Sequence, residues 1–135
     1  MTSDILEFTW DQDPGTVVEA IRQWVKQHDF VDYGVIDHRR DMKDRGVPDP
    51  PHAYTILFGN PVAGSRFIAT QRSAVADMPI RIGVFGENGA STLVYHMMSS
   101  LLAQHDTRLT DMGKAVDQIV IGLCHDIGAI PIEGF

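Results

Sequence analysis

Three side chains that could transfer protons stand at the predicted ends of strands or turns: His38, Asp77 and His96. Histidine titrates near neutral pH and can act as a general base. A carboxyl group in apolar surroundings has a raised pKa and can donate a proton. We therefore take His38, Asp77 and His96 as the candidate catalytic set, with Tyr95 as a further acid. Each also has a structural interpretation: His38 and Asp77 as caps or surface groups, and His96 as a capping or dimer-interface residue.

The second candidate site is the turn Gly59-Asn60-Pro61, which follows an apolar strand and precedes a helix. Glycine and asparagine tolerate the left-handed backbone region, and free N–H groups near Ala63 and Gly64 would attract an anion. One interpretation is a pocket for a small acidic ligand; the other is a structural turn in which Asn60 caps the helix. The predicted ligand-binding residues are Phe58, Gly59, Asn60, Pro61, Gly64, Arg66 and Tyr95.

Hydrophobic periodicity and turn signals give the elements that position these residues. The predicted strands are 5–10, 31–37, 53–59, 80–87 and 91–96, the last two joined as a hairpin at Asn88-Gly89. The predicted helices are one capped by Thr16, and those at 38–45, 62–75, 97–105 and 111–128. Glu19 lies three residues after Thr16 and would complete a capping box.

These elements predict an α+β fold. Helices alternate with strands, but the hairpin removes one crossover, so a doubly wound parallel sheet fits less well. We expect a single two-layer domain over residues 1–135, with a mixed or mainly antiparallel sheet of about five strands and helices packed on it.

Composition excludes several classes of function. The 135 residues carry 11 basic and 18 acidic side chains, a net charge of −7, which argues against nucleic-acid binding. The single Cys124 excludes an internal disulfide and a thiolate zinc cluster. The histidines show no metal-ligand spacing and no nucleotide motif occurs, so neither a metal site nor a cofactor is predicted.

No apolar run long enough for a transmembrane helix occurs in the sequence, so no membrane association is expected. Asp4 and Glu7 stand where a signal peptide would carry basic and then apolar residues. We therefore expect a cytoplasmic location.

The motifs taken together resemble one family. Phe58-Gly59-Asn60-Pro61, Ala63-Gly64, Asp77-x-Pro79 and the hairpin arm that ends at Tyr95 are similar, in order and spacing, to the signature of the bacterial and archaeal domain-of-unknown-function 302 family. The resemblance spans about residues 5–105, and the helix at about 111–128 suits it. It implies an α+β fold that usually forms a homodimer, and it implies no particular reaction. His96 departs from the family pattern.

Two functions are weighed first. One is a small-molecule-binding or accessory domain with its pocket beside the Gly59-Asn60-Pro61 turn. The alternative is a small cofactor-independent enzyme, of the isomerase, cyclase or lyase type, that uses His38 or His96 with Asp77 as acid–base groups. A purely structural partner protein is a third hypothesis. The sequence leaves open whether any reaction is catalysed.

Overall fold

Alternating apolar and polar side chains build a six-stranded antiparallel sheet in the computed structural model, which describes residues 4–132. The strands are β1 (Ile5–Trp10), β2 (Val31–Asp37), β3 (Ala53–Gly59), β4 (Ile80–Glu87), β5 (Ala90–His96) and β6 (Ile130–Pro131). Their order in the sheet is β2-β3-β4-β5-β1-β6. The five predicted strands are confirmed, and the short β6, which pairs with β1, is an addition to them.

The helices complete an α+β fold, as predicted. They are α1 (Pro14–Gln27), α2 (His38–Asp44), α3 (Pro61–Thr70), α4 (Met98–Ala103) and α5 (Thr110–Ile127), with short 3-10 helices at Arg72–Asp77 and Thr107–Leu109. Within the described residues, no helix is both long enough and apolar enough to cross a membrane.

One face of the sheet holds the core. Successive strand side chains point to opposite faces, and β4 and β5 bury every second residue: Ile80, Ile82, Val84, Ser91, Leu93 and Tyr95. The helix α1 covers this face and contacts β2, β3, β4 and β5. The other face is more open and exposes apolar side chains such as Phe85, at 46%.

The predicted start of α1 is wrong. The helix begins at Pro14, two residues before Thr16, so the expected Thr16–Glu19 capping box does not form. Proline suits the first helical position because its fixed φ is helical and its missing N–H would have had no partner there. The residue before it, Asp13, accepts instead from the backbone N–H of Gly89 at 2.9 Å, which ties the start of α1 to the hairpin turn.

The predicted helix at 62–75 is also corrected. The helix α3 ends at Thr70, and Gln71 is extended, with φ −151° and ψ 113°, before the 3-10 helix begins at Arg72. The chain therefore bends between two short helices where the apolar pattern suggested one. This bend determines where Ser73 and Asp77 lie.

The hairpin prediction is confirmed. Asn88 and Gly89 both have positive φ, 58° and 78°, as a two-residue turn between β4 and β5 requires.

A buried carboxylate joins α5 to the end of β5 and the start of α4. Asp117 of α5 is 4% exposed. Its Oδ1 accepts the Tyr95 hydroxyl at 2.6 Å and the Met98 backbone N–H at 2.8 Å. Asp117 thereby caps the start of α4 from a neighbouring helix. Gly113 makes this close approach possible, since a Cβ there would lie 2.4 Å from Cα of Ser99.

Candidate functional site

The turn at Asn60 is a helix cap. Asn60 is extended, with φ −118° and ψ 110°. Its side-chain Oδ1 accepts the backbone N–H groups of Val62 at 2.9 Å and Ala63 at 3.4 Å. Neither Gly59 nor Asn60 has positive φ, so the expected left-handed turn is wrong. The first N–H groups of α3 are used internally, as the structural interpretation of this turn predicted.

A cavity of about 380 Å³ lies beside this turn. We call it the α3 cavity. One wall is formed by the turn and by the inner side of α3, through Gly59, Asn60, Pro61, Ala63, Gly64 and Phe67. Ser65 and Ile68 lie at the same wall and are solvent-exposed, so the cavity opens to solvent along α3.

The facing wall comes from segments distant in sequence. Met78 and Pro79, joined by a cis peptide bond, precede β4, while Met98 begins α4 and Val116 and Ile119 belong to α5. Aromatic rings of Phe30 and Tyr33 also line the cavity. Every side chain that lines it, among residues 4–132, is uncharged. The lining of the cavity is therefore uncharged and mostly apolar.

The side-chain amide of Asn60 is only partly used by hydrogen bonds within the protein. The Oδ1 of Asn60 is engaged by the α3 backbone, but its Nδ2 has no hydrogen-bond partner among the described residues. An amide nitrogen donates two hydrogen bonds. Ser65 donates its hydroxyl to the Val62 carbonyl at 2.6 Å, and its oxygen can still accept. The lining thus combines mostly apolar side chains with the polar side chains of Tyr33, Asn60 and Ser65.

Four of the predicted ligand-binding residues line the α3 cavity: Gly59, Asn60, Pro61 and Gly64. The other three lie elsewhere. Phe58 is fully buried behind the wall, where its ring meets that of Phe30 edge to face at 5.7 Å. Arg66 points outward from α3 and is exposed.

Tyr95 is the third residue outside the cavity lining. It is 2% exposed, and its hydroxyl donates to Asp117. Burial, and then the bond to the Asp117 carboxylate, raise the pKa of this hydroxyl far above its ordinary value. The Tyr95 hydroxyl therefore lies in the core, bonded to Asp117 and outside the cavity lining.

The three candidate catalytic residues have separate partners. His38 Nε2 lies 2.7 Å from Oγ1 of Thr55, on the open side of the sheet. Asp77 pairs with His105, at 2.6 Å between Oδ2 and Nε2. His96 is exposed at the end of β5. Within the described residues, no hydrogen bond or ion pair joins any two of His38, Asp77 and His96.

His105 is the partner that the sequence did not reveal. It stands 28 residues after Asp77, beyond α4, and its Nδ1 lies 2.8 Å from Oγ of Ser73. No spacing motif in the sequence predicts the pairing of His105 with Asp77, because this contact depends on the bend at Gln71 and on the packing of the loop after α4. Within residues 4–132, no group of three or more His, Cys, Asp or Glu is placed to hold a metal ion.

Comparison with known proteins identifies a family and solved structures with a similar fold. A crystal structure of an uncharacterized conserved DUF302 protein from Bacillus stearothermophilus is similar, with a TM-score of 0.82 and 13% identity. The match covers 90% of this chain and 96% of that one, and at this identity it shows the fold alone. No curated protein matches. The family model of the domain of unknown function DUF302 matches residues 6–125, so this chain belongs to the DUF302 family.

Proposed function

We propose that this domain binds a small, neutral, mainly apolar molecule in the α3 cavity, with an acceptor oxygen of the ligand held by the Asn60 amide. The observation that carries the proposal is the cavity of about 380 Å³, lined by uncharged side chains that include Asn60, whose Nδ2 has no hydrogen-bond partner among the described residues. This volume lies in the range of small-molecule sites, which are mostly apolar and carry few polar groups.

The apolar walls supply the affinity. Removing apolar surface from water contributes about 25 cal/mol per Å², so each 100 Å² of buried ligand surface contributes about 2.5 kcal/mol. Met78 and Met98 add adaptability, because unbranched thioether side chains change shape at low cost. A cavity with two methionines can therefore accept related apolar ligands.

The electrostatics favour a neutral ligand over the acidic one considered from the sequence. No charged side chain of the described part of the chain lines the cavity, and the N–H groups of Val62 and Ala63 already bond to Asn60. A ligand carboxylate would lose its hydration and find no cation in return. A carbonyl or ether oxygen would lose less and could accept from Asn60 Nδ2.

A fluorescence titration with N-phenyl-1-naphthylamine, a neutral apolar probe, tests the proposal. Ala63 lies in the wall of the cavity, whereas the adjacent Val62 is 62% exposed and outside it. Ala63→Trp should fill the cavity and weaken probe binding at least tenfold, because the new ring occupies the ligand volume. Val62→Trp, on the same helix, is the matched control and should bind as the unmodified protein does.

Two results would contradict the proposal. One is saturable probe binding that Ala63→Trp leaves unchanged, which would place the probe elsewhere. The other is equal weakening by both substitutions. Circular dichroism and thermal unfolding of both variants establish that α3 remains folded.

A further inference from the structure

The site built by Ser73, His105 and Asp77 is distinct from the α3 cavity lining. Ser73 Oγ lies 2.8 Å from His105 Nδ1, and His105 Nε2 lies 2.6 Å from Asp77 Oδ2. Ser73 is exposed, whereas the His105 side chain is 17% and the Asp77 side chain 30% exposed. A reachable hydroxyl is thus backed by a partly buried imidazole and a carboxylate.

The carboxylate decides which nitrogen of His105 carries the proton. An ionised Asp77 only accepts, so the neutral imidazole donates from Nε2. Its Nδ1 then holds a lone pair and accepts the Ser73 hydroxyl. Ser73, His105 and Asp77 thus stand as the nucleophile, the base and the orienting carboxylate do in serine hydrolases. In serine proteases Nε2 faces the serine and Nδ1 the aspartate, whereas here Nδ1 faces Ser73 and Nε2 faces Asp77. Such a set is recognised by geometry and role rather than by sequence order.

We propose that Ser73 is a nucleophile that hydrolyses small acyl esters, with His105 as its general base and Asp77 as the residue that orients the imidazole. Ser73 Oγ bonds to the acyl carbon while its proton passes to His105 Nδ1. The bond from the acyl carbon to the alkoxy oxygen then breaks, and the leaving oxygen takes that proton. His105 Nδ1 then takes a proton from water as the water oxygen bonds to the acyl carbon of the Ser73 ester. The bond from that carbon to Ser73 Oγ breaks, and Oγ takes the proton back, so that one ester and one water give an alcohol and an acid.

The exposure of Ser73 sets the class of substrate. Because the Ser73 hydroxyl is exposed, small, unhindered, activated esters can reach it directly from solvent. They do not have to pass through the α3 cavity. The reaction needs no redox partner, because no atom changes oxidation state. Since Ser73, His105 and Asp77 lie outside the lining of the α3 cavity, this hydrolysis does not depend on the ligand proposed for that cavity.

Covalent labelling tests the nucleophile directly. Diisopropyl fluorophosphate should phosphorylate Ser73: a bond forms between Oγ and phosphorus, fluoride leaves, and the proton goes to His105. Mass spectrometry of digested protein locates the adduct. Because general-base catalysis contributes about 10²- to 10⁴-fold, His105→Gln should slow the labelling of Ser73 at least 100-fold. Ser73→Ala should abolish the adduct. It should also lower the rate of p-nitrophenyl acetate hydrolysis to the background rate that the protein's histidine side chains give without Ser73.

Ser100 provides the matched control, since its hydroxyl donates directly to Asp4 Oδ1 at 2.9 Å with no histidine between them. Ser100→Ala should leave both labelling and hydrolysis unchanged. Absence of an adduct on Ser73 in the unmodified protein would overturn the proposal, whether or not any variant folds. So would equal labelling rates in His105→Gln and the unmodified protein, because Ser73 would then react without its base.

Discussion

The side-chain oxygen Oδ1 of Asn60 lies 2.9 Å from the backbone nitrogen of Val62, whereas the amide nitrogen of the same side chain has no hydrogen-bond partner among the described residues. One residue thus has two separable roles. Its oxygen stabilises the start of α3, and its nitrogen is the donor that we assign to a ligand.

Two substitutions separate these roles. Asn60→Ala removes the cap and should lower the free energy of unfolding by about 1 kcal/mol, whereas Asn60→Asp keeps an accepting oxygen and should leave it nearly unchanged. Asn60→Asp nevertheless removes the NH₂ donor and adds a negative charge beside the cavity. It should therefore weaken binding of an acceptor-bearing apolar ligand. Urea unfolding measures the first effect and ligand titration the second. Equal stability of both variants would contradict the cap.

Gly113 and Gly122 form a matched pair in α5. A Cβ at Gly113 would meet Cα and N of Ser99 at 2.4 and 2.7 Å, so Gly113→Ala forces α4 away and should cost about 1–3 kcal/mol. A Cβ at Gly122 meets nothing within 4 Å, so Gly122→Ala should gain about 0.5–1 kcal/mol from helix propensity. Thermal unfolding of the two variants should shift in opposite directions. A stabilising Gly113→Ala would mean that the two helices are not in close contact.

Tyr95 should make stability depend on pH in the alkaline range. Its folded-state pKa is raised above the ordinary value of 10.0 by burial and by Asp117. The neutral hydroxyl is therefore favoured by folding: its contribution is complete below pH 10 and is lost as pH rises above it. Each pH unit above 10 should cost up to about 1.4 kcal/mol from this group.

Tyr95→Phe isolates that contribution. The variant loses the hydrogen bond to Asp117 at neutral pH and should be less stable there by about 1–3 kcal/mol. Its unfolding free energy should then fall less steeply than that of the unmodified protein between pH 10 and 11. Parallel pH profiles, measured by urea unfolding, would show that Tyr95 is not held neutral by the fold.

The Cys124 thiol should not react with thiol reagents while the protein is folded. It is 1% exposed, and burial raises its thiol pKa from 9.0 to about 12. The thiolate is the reactive species, so at pH 8 a disulfide reagent such as 5,5′-dithiobis(2-nitrobenzoate) should react only after the protein unfolds in denaturant. Rapid reaction without denaturant would show that α5 opens readily.

The sequence predicted the elements better than their contacts. Periodicity and the Asn88-Gly89 turn gave all five long strands, because those signals are local. The start of α1 was misplaced because Thr16 and Glu19 imitate a capping box while Pro14 already sits at the first helical position. The pairing of Asp77 with His105 was missed because it joins segments brought together only by packing.

The residues that line the α3 cavity show the same contrast between local signals, which the sequence carries, and contacts that depend on packing. Gly59, Asn60, Pro61 and Gly64 were found because the turn itself carries the signal, whereas Met98 and Ile119 in the facing wall come from distant helices with ordinary core patterns. The homodimer implied by the family resemblance stays a prediction, which sedimentation velocity would check.

The most direct test of the α3 cavity is a ¹H–¹⁵N NMR titration with N-phenyl-1-naphthylamine. If the ligand lies in the cavity, the largest shift changes should fall on the backbone amides of Ala63, Gly64 and Ile119, and they should saturate at one probe per chain. Changes confined to the open face of the sheet, around Phe85, would contradict the proposal.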